Sequence, residues 1–232
     1  MTVSEKIEEW VLKIPNEFNI NSITDNGDGT AILLVSDTAW CLDNHNINVG
    51  GVNYLVKSIV RNTSVTVIGL PIGTKYTLVI PFFTYGTPKQ VNTERQAKQK
   101  NGTVVTPMIY LFAPISETIN HDSLSNIKNT ITFTMSVLND YKVEQFTKDI
   151  VDYSVKAMRY LTNSIISTIA KQLGEVDAEN IKQNTKEYPK YAQFFTKSGG
   201  EQNIFSEKLS GVENNLTIPL KIQLNSLNLC NS

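Results

Sequence analysis

Asn129-Thr130-Ile131-Thr132-Phe133-Thr134-Met135-Ser136-Val137-Leu138 (NTITFTMSVL) alternates apolar and polar side chains. Ile131, Phe133, Met135 and Val137 fall on one face, and Thr130, Thr132, Thr134 and Ser136 on the other. Successive side chains of a strand point to opposite faces, so the pattern predicts an antiparallel strand buried on one side. Such a strand needs a cover, and the chain supplies one just downstream. From Glu144 to Leu173, Phe146, Ile150, Met158, Leu161, Ile165 and Ile169 recur at helical spacing. Val151, Val155, Thr162 and Ile166 widen that stripe, and Gly174 is a natural helix stop. Leu216 to Leu224 alternates again, with Leu216, Ile218, Leu220, Ile222 and Leu224 on one face and Pro219 on the other. Proline has no N–H to donate, which predicts an edge position for this strand. Val104 to Phe112 is a further apolar strand, whose Pro107 places it at an edge or the proline at its start. Between helix and last strand, the stretch with Tyr188-Pro189 and Gly199-Gly200 reads as a polar connection. Residues 104–232 thus predict an antiparallel sheet covered by one long helix.

Upstream, residues 1–80 read as an N-terminal helix followed by a small β-rich barrel or sandwich. Ser4 offers a cap, and Ile7, Trp10, Val11 and Ile14 form an apolar stripe that Pro15 ends. Ile20–Ile23 and Ala31–Val35 flank the turn run Asp25-Asn26-Gly27-Asp28-Gly29, which predicts a hairpin. A second hairpin turns at Gly50-Gly51, between Ile47/Val49 and Val52/Tyr54/Val56, and Val65–Ile68 forms another strand. Several short strands at close spacing predict a small closed or two-layered β unit.

Residues 81–103 read as an exposed loop or arm. Phe82, Phe83 and Tyr85 cluster at its start, and Arg95, Lys98 and Lys100 follow in a polar run. Exposed aromatic clusters mark contact surfaces, so these six residues are the candidate interface, with the basic ones able to reach DNA phosphates. The fold class is α+β, in three parts: 1–80, 81–103 and 104–232.

The 232 residues are 41% hydrophobic and 19% charged, enough apolar material for a core and too little charge for a disordered chain. A net charge of −1 demands neither nucleic acid nor an anionic membrane as partner. No stretch of 18 apolar residues occurs, and the acidic N-terminus does not read as a signal peptide, which predicts synthesis in a reducing cytoplasm and no membrane partner. Cys41 and Cys230 lie too far apart in sequence for a zinc motif and read as reduced thiols. His45 and His121 lie in polar runs with no metal-ligand spacing, and both read as exposed loop residues. No nucleophile elbow, P-loop or dinucleotide-binding glycine pattern occurs. The expectation is a non-enzyme with no catalytic residue, cofactor or metal.

Thr106-Pro107-Met108-Ile109-Tyr110-Leu111, Pro114 and Glu117, the strand at 129–138 and the helix bearing Met158 and Leu161 come in an order that resembles neck and tail-ring proteins of tailed phages. So do Gly199-Gly200-Glu201-Gln202-Asn203-Ile204-Phe205, Leu209-Ser210-Gly211-Val212 and the closing strand. The likeness is to tail terminators and covers residues 104–224. The Asn-, Lys-, Ile- and Ser-rich style resembles phages and prophages of Bacteroidetes, including the crAss-like group. The resemblance implies a homo-oligomeric ring in the virion neck or tail, stacked on portal, neck or tail proteins, with non-specific DNA contact in the channel. It implies no catalytic residues. The competing reading is a carbohydrate- or receptor-binding β-module using Trp40, Tyr54 and Tyr85.

Overall fold

The computed structural model describes residues 2–123, 126–141, 147–172, 175–191, 193–195, 201–203, 205 and 208–221. Phe146, Gly174, Gly199, Gly200, Ile222, Leu224 and Cys230 lie outside them.

The first helix, α1 (Val3–Leu12), is capped by Thr2 rather than Ser4. The Thr2 hydroxyl accepts the Glu5 N–H at 3.3 Å, and the Glu5 carboxylate accepts the Thr2 N–H at 2.6 Å. This reciprocal pair satisfies two N–H groups that have no partner inside the helix. Ile7, Trp10 and Val11 are buried, as the stripe predicts.

Six strands follow: β1 (Glu17–Asp25), β2 (Thr30–Val35), β3 (Asn46–Val49), β4 (Val52–Val60), β5 (Ser64–Ile68) and β6 (Lys75–Leu78). They pair antiparallel in the order β1-β2-β5-β4-β3-β6 and close into a barrel. Closure removes the free edges that so small a sheet would otherwise expose. The turn 25–30 is fixed by its own acids. Asp25 Oδ1 accepts the Gly27 N–H at 2.8 Å, and Asp28 Oδ1 accepts the Thr30 N–H at 3.0 Å.

The second half contains β7 (Phe82–Gly86), α2 (Pro88–Lys100), β8 (Met108–Phe112), β9 (Ser116–Ser123) and β10 (Asn126–Asp140). Then come helix α3 (Thr147–Ala170), β11 (Lys182–Tyr191), β12 (Gln193–Phe195), β13 (Glu201–Asn203) and β14 (Leu209–Leu220). The sheet order is β11-β14-β10-β8-β7, with β9 also on β10, and β12–β13 form a separate hairpin. Pairing is antiparallel except between β7 and β8, which run parallel. Within α3, Val151–Val155 is a π-helical turn.

The central strand behaves as its alternation predicts: Ile131, Phe133, Met135 and Val137 are buried. They share one core with Met158, Leu161, Ile165 and Ile169 of α3, with Val212, Leu216 and Ile218 of β14, and with the barrel interior. The long helix therefore lies between barrel and sheet. The opposite face of the sheet has a smaller core of Val91, Met108, Tyr110, Leu138, Tyr191, Phe205 and Leu209.

Four further expectations are corrected. Residues 81–103 are not a loop, because β7 and α2 occupy most of them. The stretch around Tyr188-Pro189 is strand β11. His121 falls within β9 rather than in a loop. Strand β14 is flanked on both sides, so Pro219 does not mark an edge. The β11 pairing ends at Thr217, and beside Pro219, among the described residues, only the bridge between Val176 and Leu220 continues it: the Pro219 carbonyl accepts the Asp177 N–H at 2.9 Å, and the Asp177 carbonyl, which receives no N–H from the proline, accepts that of Asn180 at 3.2 Å. Pro107, by contrast, directly precedes β8, as a strand-initiating proline should.

Candidate functional site

Strand β7 is short and ends the sheet. Pro81 precedes it, and Thr87-Pro88 ends it by starting α2. Thr87 caps that helix, with Gln90 closing a capping box and Pro88 in the first turn, where its missing N–H costs nothing. The helix folds back over one face of the sheet. Its inward residues are Val91 and Arg95, one turn apart, and Glu94 accepts the Thr84 hydroxyl of β7 at 2.6 Å. The Tyr110 hydroxyl of β8 donates to the Gly86 carbonyl at 3.2 Å and holds the end of β7.

The pairing decides which backbone groups of β7 remain available. The Phe82 N–H donates to the Pro107 carbonyl at 3.0 Å, and the Gly86 carbonyl accepts the Ala113 N–H at 3.2 Å. In a parallel ladder one strand's residues alternate between facing the partner and facing away. Phe82, Thr84 and Gly86 therefore bond β8, and Phe83 and Tyr85 direct their N–H and C=O groups outward. Among the described residues no strand lies beyond them. Phe83 is half-buried against the main core, while Tyr85 is 43% exposed.

The other two outer strands carry devices that oppose pairing. Strand β11 bears Lys182, Lys186, Lys190 and Pro189, and a register shift between Tyr188 and Tyr191. Strand β9 bears Glu117. Charges, proline and bulges on an edge all discourage strand addition, and β7 (FFTYG) has none of them.

Of the six residues proposed as interface, the structure gathers Phe82, Phe83 and Tyr85 on β7 and Arg95, Lys98 and Lys100 on α2. Arg95 is corrected in its role: at 1% exposure it is a core residue, out of reach of DNA. Burial weakens its hold on its proton, and the nearby Asp140 carboxylate opposes that effect. Lys98 and Lys100 are exposed in the last turn, where the helix dipole favours cations.

The other sequence candidates are placed as follows. Trp40 is buried, donates from Nε1 to the Val79 carbonyl at 3.4 Å and packs edge-on against Phe18 at 5.8 Å, so it offers no face to a sugar. Tyr54 is half-buried. Burial pushes the Cys41 thiol up to about 12, which keeps it neutral and unreactive at ordinary pH. His45 is half-buried rather than exposed, and burial lowers its proton affinity. Among the described residues no three His, Cys, Asp or Glu side chains are placed to hold a metal ion, and no helix is long and apolar enough to cross a membrane. No protein-family model matches the chain, and no curated protein or solved structure is significantly similar to it.

Proposed function

We propose that this chain is a structural assembly subunit that joins copies of itself through the open edge of β7, forming a ring in the neck or tail of a phage virion. The single observation behind the reading is the contrast between edges: β11 and β9 are blunted by charge, proline or bulge, and β7 is open with Tyr85 exposed beside it. The order of apolar and turn motifs over 104–224 supports the neck or tail-ring placement. A ring requires a head-to-tail contact, in which β7 of one subunit meets a different surface of the next. The brevity of β7, five residues, suits a contact of fixed register and disfavours open-ended sheet growth. In such a ring Lys98 and Lys100 would face neighbouring proteins or the DNA channel. Native mass measurement tests the proposal. The expected result is a discrete closed oligomer that Tyr85→Lys converts to monomer without lowering the thermal midpoint of the monomer. A wild-type chain that stays monomeric at all accessible concentrations would refute it.

A further inference from the structure

The open edge of the large sheet and the exit of its last strand lie on opposite sides. The order is β11-β14-β10-β8-β7, so β7 bounds one side and β14 lies one strand in from the other. Strand β14 ends at Leu220, and the chain leaves it on the β11 side. There Leu220 bridges Val176, and the Lys221 N–H donates to the Glu175 carbonyl at 2.8 Å. The way across to the same copy's β7 is occupied: Asn129 of β10 pairs with Leu220 on one side and with Ile119 of β9 on the other.

Strand β7 offers two N–H and two C=O groups, those of Phe83 and Tyr85, with no strand beyond them among the described residues. Val79 and Ile80, just before it, are exposed, as is the Tyr85 ring. An incoming segment pairs with such an edge when no charge, proline or glycine interrupts it. Residues 222–229 (IQLNSLNL), outside the described residues, contain none of these. Ile222 and Leu224, and again Leu227 and Leu229, are separated by one polar residue, the spacing that puts both on one face of an extended chain. Strand β7 (FFTYG) is uncharged too, so neither partner opposes the other.

We propose that residues 222–229 of one copy add as a strand to the outer edge of β7 in the next copy. This pairing rests on assembly through β7 and names the second surface of that contact. Main-chain bonds to Phe83 and Tyr85 hold the segment, and its alternate apolar side chains cover the Tyr85 ring. Donor and acceptor lie on opposite sides of the sheet, so each copy gives one segment and receives one. That is the head-to-tail arrangement a closed ring needs. Two β7 edges paired with each other would be two-fold and would stop at a dimer.

Native mass measurement on two full-length variants and their mixture is the test. Leu224→Pro combined with Leu227→Pro removes two N–H groups from the donated segment and leaves β7 intact. Tyr85→Lys blocks the edge and leaves the segment intact. Each variant alone should be a monomer with the circular dichroism of the wild type. Mixed in equal amounts, they should form a one-to-one heterodimer and nothing larger, because the mixed pair has one sound edge and one sound segment. The Phe83 and Tyr85 amides of the proline variant should become protected from exchange in that heterodimer. A proline variant that assembles as the wild type does would overturn the pairing and leave assembly through β7 standing. So would a homodimer of the proline variant, or a mixture that stays monomeric well above the concentration at which the wild type is assembled. A wild-type chain that is itself monomeric would remove assembly through β7, and this pairing with it.

Discussion

The Tyr153 hydroxyl donates to the main-chain carbonyl of Asp43 at 2.7 Å, joining the π-helical turn of α3 to the loop between β2 and β3 across 110 residues of chain. Arg61 reinforces the same seam from the barrel: its guanidinium reaches the Cys41 carbonyl at 2.8 Å and the Tyr153 carbonyl at 3.1 Å. The Tyr76 hydroxyl holds the start of that loop through the Asp37 carbonyl at 2.6 Å, and Tyr160 of α3 donates to the Asp37 carboxylate. Barrel and helix are thus locked by polar bonds to irregular backbone, and the helix is locked to the sheet by apolar packing.

Arg61→Met tests the seam. Its carbon stem would still pack, but the carbonyls of Cys41 and Tyr153 would lose a charged donor. A loss of about 1.5–3 kcal/mol in denaturant unfolding is expected, the usual worth of hydrogen bonds to a charged group. A change under about 0.5 kcal/mol, typical of surface positions, would mean the seam contributes little.

Leu161→Ala tests the helix–sheet layer. Leu161 is fully buried within the core that α3 shares with β10 and β14. Truncation should cost about 2–5 kcal/mol by lost burial and a residual cavity. A near-neutral result would remove Leu161 from the core.

Burial holds the His45 proton affinity below its ordinary value of 6.5, with Asp140 opposing the shift. The folded state therefore prefers neutral His45. That preference is fully present above pH 6.5 and is lost as pH falls through the lower folded value. His45→Gln should flatten the part of the stability profile that declines in this window, measured by denaturant midpoints at stepped pH. An unchanged acid slope would assign the decline to other groups.

The layer of sheet and helix was legible because its signals are periodic. Ile131 to Val137 repeat every second residue and Met158 to Ile169 at helical spacing, and both faces are buried as that spacing requires. Helix α2 was missed because its inward face consists of Val91 and Arg95, which leaves no apolar stripe to read. Its start was written in Thr87-Pro88-Lys89-Gln90, a capping box with proline in the first turn, and that signal could have found it. Strand β11 was hidden for the opposite reason: its lysines and Pro189 are edge devices, and they erase the alternation by which strands are recognised. The aromatic residues of β7 were visible, but their outward backbone groups depend on the parallel register with β8, which local sequence does not encode.

Backbone hydrogen exchange at Phe83 and Tyr85 tests the assembly through β7 most directly. Their amides face away from β8, so they should exchange fast in the monomer, while those of Phe82 and Thr84, bonded to β8, should be protected. In the assembled form the account predicts that Phe83 and Tyr85 also become protected. Fast exchange of these two amides in an oligomer of established mass would show that copies meet elsewhere, and would contradict the account.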